Sequence, residues 1–512
     1  MKNYHFTEDH EMFRESLRNF LEKEARPHID QWEEDRRIPR DIWKKMGEMG
    51  FLGLTYPEQY GGSNLDFFFD VVFNEELGRM NSGGFAITQQ VTQYMSSPYI
   101  LKYGSETLKQ KYLPGVISGD LIGSIGISEP GAGSDAQNIQ TRAVRDGDHY
   151  IVNGSKTFIT NGVYGDFIVT VVKTDPEAGS AGVSLIVIDR NAEGVSARKL
   201  KKLGWHSSDT AELSFDNVKV PVENLVGEEG RGFYYLMNGL QLERLVAVPA
   251  CVTGMEHALE KTLQYMSERE AFGRPINKFQ VLRHRIAQMS SEIEALKAFS
   301  YHCCRLYSDN VYDVKLCSMA KLLATELCEK VSTQCLQMYG GYGFMEEYPM
   351  ARMYRDVRVG TIGGGTSEIM RDIIAKIVID GQGYKKANTN HALKNTSQNG
   401  TQNGISNNQN NSIIMSFEAI KSGIESKATA APAFGKKLKF DFGDNKLFID
   451  GSGDSNVVSE SDEDADCVIH ATIEDFQSMM SGDLNPMAAV MSKKVKIKGD
   501  MGLAMKLQSL IK

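Results

Sequence analysis

One stretch of this chain cannot bury a core, and it divides the rest. Residues 385–411 run from Lys385-Lys386-Ala387-Asn388 to Asn407-Asn408-Gln409-Asn410-Asn411 and are nearly half Asn or Gln. Such a composition does not bury enough apolar surface to offset the entropy of ordering it, and 385–413 reads as a flexible linker. As a coil it would reach about 30 Å. The segments on its two sides must therefore fold separately. A chain of 512 residues exceeds a single core in any case.

The hydrophobic period changes twice before the linker. Residues 1–120 read as helical: Phe13, Leu17, Phe20 and Leu21 fall at helical spacing and Pro27 ends that element. A second helix is expected from Phe67 to Leu77, and a third through Ile100, Leu101 and Leu108, stopping near Pro114. Over 121–228 the period becomes two. Tyr150–Asn153, Thr157–Thr160, Phe167–Val172, Val183–Ile188 and Ala211–Phe215 are short runs of β-branched and aromatic residues. The turn signals Asp146-Gly147, Asn153-Gly154, Asn161-Gly162 and Asp175-Pro176 separate them, which predicts an antiparallel β domain. Long helices return over 229–384, and Pro249, inside the first of them, is expected to kink it by removing a backbone donor. No Gly-x-Gly-x-x-Gly follows a strand, which argues against a Rossmann domain.

After the linker, 414–512 predicts a small α+β domain. Leu438, Phe440 and Phe442 alternate, Gly443-Asp444-Asn445 turns, and Leu447 and Ile449 alternate again as a hairpin. Strands are expected at Cys467–Ile473 and Lys494–Lys498. Short helices are expected at Glu474–Met480 and Ala488–Met491, and a closing helix at Met501–Leu510. The whole chain is thus multidomain α+β.

A net charge of −9 argues against nucleic acid or an anionic membrane as the main partner. No apolar run approaches the roughly 18 residues that span a bilayer. The first residues have neither a signal core nor a transit pattern, so a cytoplasmic location is expected. Seven cysteines, two of them adjacent at 303 and 304, form no Cys-x-x-Cys pair, and no metal site is expected.

Within Leu236–Val248 apolar residues occur on so many sides that the helix must be buried, and Glu243 lies in the middle of it. A carboxylate there is either paired with a cation or held at a raised pKa for chemistry. Arg244 is the next residue, but adjacent residues point about 100° apart on a helix. Both readings of Glu243 stay open at this point. The loop Ile125-Gly-Ile-Ser-Glu-Pro-Gly-Ala-Gly-Ser134-Asp135 opens the β region. Its glycines 131 and 133 allow close approach to a planar or anionic ligand, and Ser128 and Ser134 add hydroxyls.

Taken whole, that loop resembles the first signature of the acyl-CoA dehydrogenase family. The resemblance covers about 1–383. Lys111-Tyr-Leu-Pro114 precedes the signature, and Phe158-Ile-Thr-Asn-Gly162 matches the flavin-shielding strand. Arg269-Glu-Ala-Phe272-Gly273 with Phe279-Gln280, and Gln337-Met338-Tyr-Gly340-Gly341, match segments that bind the ADP part of the flavin from a neighbouring subunit. Alone, Arg269 would read as a solvated charge and Gln337 as a helix-surface amide. The resemblance implies FAD, a helical–β–helical core and a homo-oligomer (dimer or tetramer). It implies cofactor contacts at Ile125, Ile127, Ser128, Gly133, Ser134, Phe158, Ile159, Thr160, Arg269, Phe272, Phe279, Gln280, Gln337, Met338, Gly340, Gly341, Thr366 and Glu368. Ser134, Gln241 and Arg244 are implied near the acyl-CoA.

Position 364 departs from most of that family. A glutamate usually stands there before Gly-Thr as the catalytic base, whereas this chain has Gly364. Isovaleryl- and long-chain-type members place the base on the earlier helix, in a Leu-x-x-Glu-Arg-Leu context that Glu243 matches. The resemblance thus implies an α-proton passing to Glu243 and a β-hydride to flavin N5, with the backbone N–H of Gly364 helping to hold the thioester oxygen. It also implies an acceptor such as an electron-transfer flavoprotein.

The last domain resembles sterol carrier protein 2 in the run Glu474-Asp-Phe-Gln-Ser-Met-Met-Ser-Gly-Asp-Leu-Asn-Pro-Met487 and in Lys496–Leu507. The resemblance implies a lipid or acyl-CoA ligand. Methionines 479, 480, 487, 491, 501 and 505 suit an adaptable cavity, and core filling explains them as well. His470 reads as structural. The expected activity is α,β-dehydrogenation of an acyl-CoA. The alternatives are a flavin oxidase or monooxygenase, and a lipid carrier with a non-catalytic flavin scaffold.

Overall fold

A computed structural model describes residues 4–383 and, from 417 to 499, all but 418–419, 422–423, 426–427, 429–431, 434, 444, 482–488 and 491–493. The chain forms two compact units, one built on 4–52 and 66–383, the other on 53–65 and the described residues from 417 onward.

In the first unit the N-terminal helices are α1 (Glu8–Glu24), α2 (Ile29–Asp35), α3 (Arg40–Glu48), α4 (Phe67–Gly78), α5 (Gly83–Gln90), α6 (Ser97–Tyr103) and α7 (Glu106–Ser118). α1 obeys its sequence signals: Thr7 and His10 form a reciprocal capping box, and Phe13, Leu17 and Leu21 are buried. α4 is buried on every side, carrying Asp70, Asn74, Glu75 and Glu76 inward as well as its phenylalanines. The third expected helix is instead two. Ser105 caps a new start, its Oγ accepting from the Leu108 N–H at 3.2 Å. Pro114 lies inside α7 rather than ending it, since buried Leu113, Val116 and Ile117 hold that segment on both sides. The stop comes at Gly119, whose φ of +78° suits glycine and where a Cβ would lie 2.2 Å from the Trp43 carbonyl oxygen. Between α5 and α6, Val91–Ser96 is a π-helical turn.

The middle sheet has seven strands: β1 (Gly123–Gly126), β2 (Arg142–Asp146), β3 (His149–Thr160), β4 (Phe167–Lys173), β5 (Val183–Asp189), β6 (Val195–Lys199) and β7 (Thr210–Pro221). Their order is β1-β4-β2-β3-β7-β6, with β5 on β4. Two expectations change here. β1 pairs with β4 in parallel, so the sheet is mixed. Asn153-Gly154 is not a turn: β3 runs through it with a register shift, and Gly154 brings a backbone to which a Cβ would sit 2.6 Å from Thr141 Cα. Ala143, Val152, Ile168, Ile186 and Leu213 fill the core of this sheet.

The later helices are α8 (Gly232–Glu268), α9 (Gln280–Ser308), α10 (Val314–Tyr339), α11 (Pro349–Val357) and α12 (Ser367–Val378), with a small hairpin of β8 (Glu270–Ala271) and β9 (Arg274–Pro275) after α8. α8 stays helical through Pro249 for 37 residues. Thr253 Oγ1 sits beside the proline, donating to the Glu75 carbonyl at 2.7 Å and to that of Pro249 at 3.1 Å.

The second unit carries a five-stranded sheet, β10 (Lys437–Asp441), β11 (Lys446–Asp450), β12 (Val457–Ser459), β13 (Cys467–Ala471) and β14 (Val495–Gly499), in the order β12-β11-β10-β13-β14, and α13 (Ile473–Ser481). The expected hairpin is β10–β11, and Leu438, Phe440, Ile449, Phe476 and Met479 share its core. The expected helix at Met501–Leu510, the methionines at 487, 491, 501 and 505, and the side chain of Met480 lie outside the described residues.

Candidate active site

Glu243 lies on α8 and is only 7% exposed. Burial pushes its carboxyl up to about 7, and two weaker influences pull the other way: a hydrogen bond from Tyr99 and the charge of Arg244. Tyr99 Oη donates to Glu243 Oε1 at 2.8 Å. Oε2 accepts from no described residue.

Arg244 is equally buried and turns away from its neighbour. Its Nε donates to the Gly364 carbonyl at 3.2 Å. Lys321 of α10, buried as well, donates to the Gly365 carbonyl at 2.6 Å. Two cations thus hold consecutive carbonyls of the turn before α12, while the Gly364 N–H bonds to no described residue. Gly364 has φ +64° and open space where a Cβ would stand. Gly365 has φ +98°, a conformation that favours glycine, and a Cβ there would lie 2.7 Å from Met370 Cε. Thr366 caps α12, its Oγ1 accepting from Ile369 N at 3.2 Å, and Glu368 is in the first turn. Gln241, 4% exposed, donates from Nε2 to the Met237 carbonyl at 3.3 Å, and its Oε1 has no described partner.

The loop between β1 and β2 is braced from beneath. The Glu129 carboxylate accepts from the N–H groups of Gln140 at 2.5 Å and Thr141 at 3.0 Å, and from Lys156 Nζ at 2.7 Å. Lys156 also reaches the Ile127 carbonyl at 3.2 Å. Above this brace Ile125, Ile127 and Ser128 are half-buried, and Gly133 and Ser134 are exposed. On β3, Ile159 is buried while Phe158 is 72% exposed at φ +63°, a rare conformation for an aromatic residue.

A third cluster lies at the far ends of α8 and α10. Arg269, Gln337, Met338, Gly340 and Gly341 line one cavity of about 580 Å³, with Tyr265, Ile276, Tyr339, Tyr342 and Met345. Phe272, 95% exposed, packs edge-on to Phe279, and Phe344 is 79% exposed; Gln280 opens α9 beside them. None of the β1–β3 residues lines that cavity.

Family models match this architecture piece by piece. The acyl-CoA dehydrogenase N-terminal, middle and C-terminal domains match 7–120, 124–218 and 230–379, and the SCP-2 sterol transfer family matches 417–512. The long-chain specific acyl-CoA dehydrogenase of Sus scrofa mitochondria is 40% identical over 379 residues, covering 73% of this chain and 87% of that protein. The chain belongs to the acyl-CoA dehydrogenase family. The dehydrogenase is also similar in structure to an acyl-CoA dehydrogenase from Geobacillus kaustophilus, at TM-score 0.72 and 47% identity over 73% of this chain and 99% of that one. A chain in the structure of the electron transferring flavoprotein of Acidaminococcus fermentans gives TM-score 0.71 and 36% identity over 74% of this chain and 99% of that one.

Acyl-CoA dehydrogenases are FAD-dependent flavoproteins, and the residues of this dehydrogenase fit the cofactor. No heavy atom lies within 4 Å of where a Cβ would stand at Gly133, Gly340 or Gly341. Such openings admit a planar ring or a diphosphate close to the backbone. Exposed Phe158, Phe272 and Phe344 offer apolar faces, and Arg269 offers a fork for phosphate. Sequence reasoning missed Tyr99, Lys321 and the Glu129–Lys156 brace. Gly239, a glycine inside a helix four residues before Glu243, was the available signal for a close neighbour. Among the described residues no group of His, Cys, Asp and Glu could hold a metal, and no helix is long and apolar enough to cross a membrane.

Proposed function

We propose that this acyl-CoA dehydrogenase uses Glu243 as its general base and forms a trans-2-enoyl-CoA from an acyl-CoA thioester. FAD, when bound, supplies the acceptor for the β-hydride. Glu243 Oε2 takes the α-proton: it makes no described hydrogen bond, and a carboxyl near 7 is half ionised at neutral pH yet basic enough to accept a proton. The Gly364 N–H, presented by a turn that Arg244 and Lys321 hold from behind, donates to the thioester oxygen and stabilises enolate character as the proton leaves. The apolar wall of Leu242 and Val246 excludes water. Gln241 Oε1 is suited to accept from a donor on the CoA arm, and Ser134 from the loop to donate to it. Arg244 acts on the substrate through the turn it holds.

The observation that carries this reading is a buried, half-satisfied carboxylate on α8, next in sequence to the arginine that holds the turn where Gly364 stands in place of the usual carboxylate. The separation of the Arg269–Gly341 cavity from the β1–β3 residues supports a cofactor held across two copies, hence a dimer or tetramer. The likeness to a chain in the structure of an electron transferring flavoprotein makes such a flavoprotein the acceptor of this reading. The working division is 1–120, 121–228, 229–384, linker 385–413 and lipid-binding domain 414–512, in the cytoplasm. The tether brings apolar substrate to about millimolar local concentration. Unchanged turnover of dilute long-chain acyl-CoA after deletion of 385–512 would remove that role.

Anaerobic mixing with an acyl-CoA series, monitored by flavin absorbance, tests the base. Glu243→Gln is expected to slow flavin bleaching by about 10²–10⁴-fold, the range of general-base contributions. Bleaching at the wild-type rate would reassign the base.

A further inference from the structure

Gly239 and Glu243 stand one turn apart on the same face of α8, and that face meets α6. A glycine in a helix interior is about 1 kcal/mol less favourable than alanine, so its presence needs a reason. The reason here is spatial. A Cβ at 239 would lie 2.1 Å from Tyr99 Oη and 2.3 Å from its Cζ. The missing side chain is the slot through which a tyrosine ring from α6 reaches the carboxylate four residues on.

We infer that Tyr99, seated in the gap left by Gly239, is the positioning residue of the Glu243 carboxylate: it holds Oε1 and leaves Oε2 to meet the substrate proton. The inference rests on the reading of Glu243 as base. Three observations carry it. Tyr99 is 2% exposed and its hydroxyl lies 2.8 Å from Oε1, with the Leu236 carbonyl, at 3.4 Å, as the one other acceptor among the described residues. One turn further along α6, Tyr103 stacks on Tyr235 at 4.0 Å and accepts from Asn238 at 3.1 Å, so α6 is pinned to α8 one turn beyond Tyr99. Finally, no cation among the described residues hydrogen-bonds Glu243, because Arg244 is turned to Gly364.

The groups facing this carboxylate are few. Tyr99 approaches from α6 and Arg244 from α8 itself, while Tyr312, Cys317 and Lys321 face Arg244 from the other side. Burial and the adjacent Glu243 charge hold the Tyr99 hydroxyl well above its usual range, so it keeps its proton and acts only as a donor. A donor to the ionised form opposes the upward push of burial. Tyr99 thereby keeps a larger share of the base ionised, and so able to accept a proton, at neutral pH. When Oε2 takes the α-proton, Oε1 becomes the carbonyl of a neutral acid and still accepts from Tyr99.

The test uses the full-length, flavin-loaded protein. Infrared difference spectra across pH report the C=O stretch of protonated Glu243, assigned by its loss in Glu243→Gln. Tyr99→Phe keeps the ring and is expected to raise that midpoint by about one unit, a tenfold change in proton affinity. The pH profile of flavin bleaching should move with it, with kcat falling more than KM. Gly239→Ala displaces the same hydroxyl from the α8 side and should move the midpoint in the same direction without touching Tyr99. Equal midpoints in wild type and both variants would overturn the inference, even if both variants melt earlier. Normal bleaching in Glu243→Gln would instead remove the base, while the infrared midpoints still judge the Tyr99 contact.

Discussion

Two glutamates of the first unit are buried to the same degree and behave in opposite ways. Glu129 is 6% exposed and Glu243 7%. Glu129 has Lys156 at 2.7 Å and two backbone N–H groups on its carboxylate, and these hold it below the ordinary glutamate value although burial opposes them. Glu243 has one neutral hydroxyl, and burial takes it up to about 7. Low surface exposure alone therefore does not set the protonation state; the depth of desolvation and the number and charge of partners do. The first carboxylate is built to stay ionised and hold a loop still. The second is left short of partners, which is what a base that must gain and lose a proton requires.

Removing Lys156 should make the contrast collapse at the greatest expense. Lys156→Met leaves Glu129 as a buried charge with no cation, and breaking such pairs costs about 3–5 kcal/mol. Urea unfolding at pH 7 should show that loss, and flavin retention should fall because Ile127 and the loop above it lose their brace. A variant as stable as wild type would mean that Glu129 is held by its backbone donors alone.

Glu243→Gln should act in the other direction. An unfolded glutamate ionises at about 4.5, whereas folded Glu243 keeps its proton up to about 7. Its folded value is raised, so folding becomes less favourable as pH climbs through that window and stays so above it. The shift corresponds to about 3 kcal/mol. Glutamine does not ionise, so the variant should be more stable than wild type by about that amount at pH 8 and nearly equal to it at pH 4. Equal differences at both pH values would show that Glu243 titrates normally.

The sequence showed one half of this comparison better than the other. Glu243 was conspicuous because helical periodicity surrounds it with apolar residues, and Gly364 because a family pattern lacks its carboxylate there. Glu129 was invisible: it sits in a loop of turn residues, and its partner Lys156 comes from a strand 27 positions later. Nothing in local pattern pairs positions so far apart. Tyr99 was hidden for the same reason, as one tyrosine among 20, in a helix expected to be continuous across Gly104. The β order was legible only as a set of strands. The parallel β1–β4 pairing joins residues more than 40 apart, beyond the reach of any hairpin signal. The interior helices α2, α3 and α5 were unread because they are short and their caps are weak or locally ambiguous.

The smallest expected effect decides what Arg244 is. If it were the counter-ion of Glu243, the two glutamates would differ only in degree, each with one cation. Its Nε instead reaches the Gly364 carbonyl, and of the influences on Glu243 its charge is the weakest. Arg244→Lys keeps the charge near Glu243 but lacks the guanidinium fork that spans to the turn. The lost hydrogen bond should cost about 1 kcal/mol. Its mark should be a higher KM for acyl-CoA, because the Gly364 N–H is aimed less well, with the pH profile of bleaching unmoved. A lysine variant whose profile shifts as far as that of Tyr99→Phe would make Arg244 an electrostatic partner and Glu243 a second Glu129. An unmoved profile with weakened substrate binding leaves Arg244 as the strut that lets one helix carry the base and aim the turn opposite it.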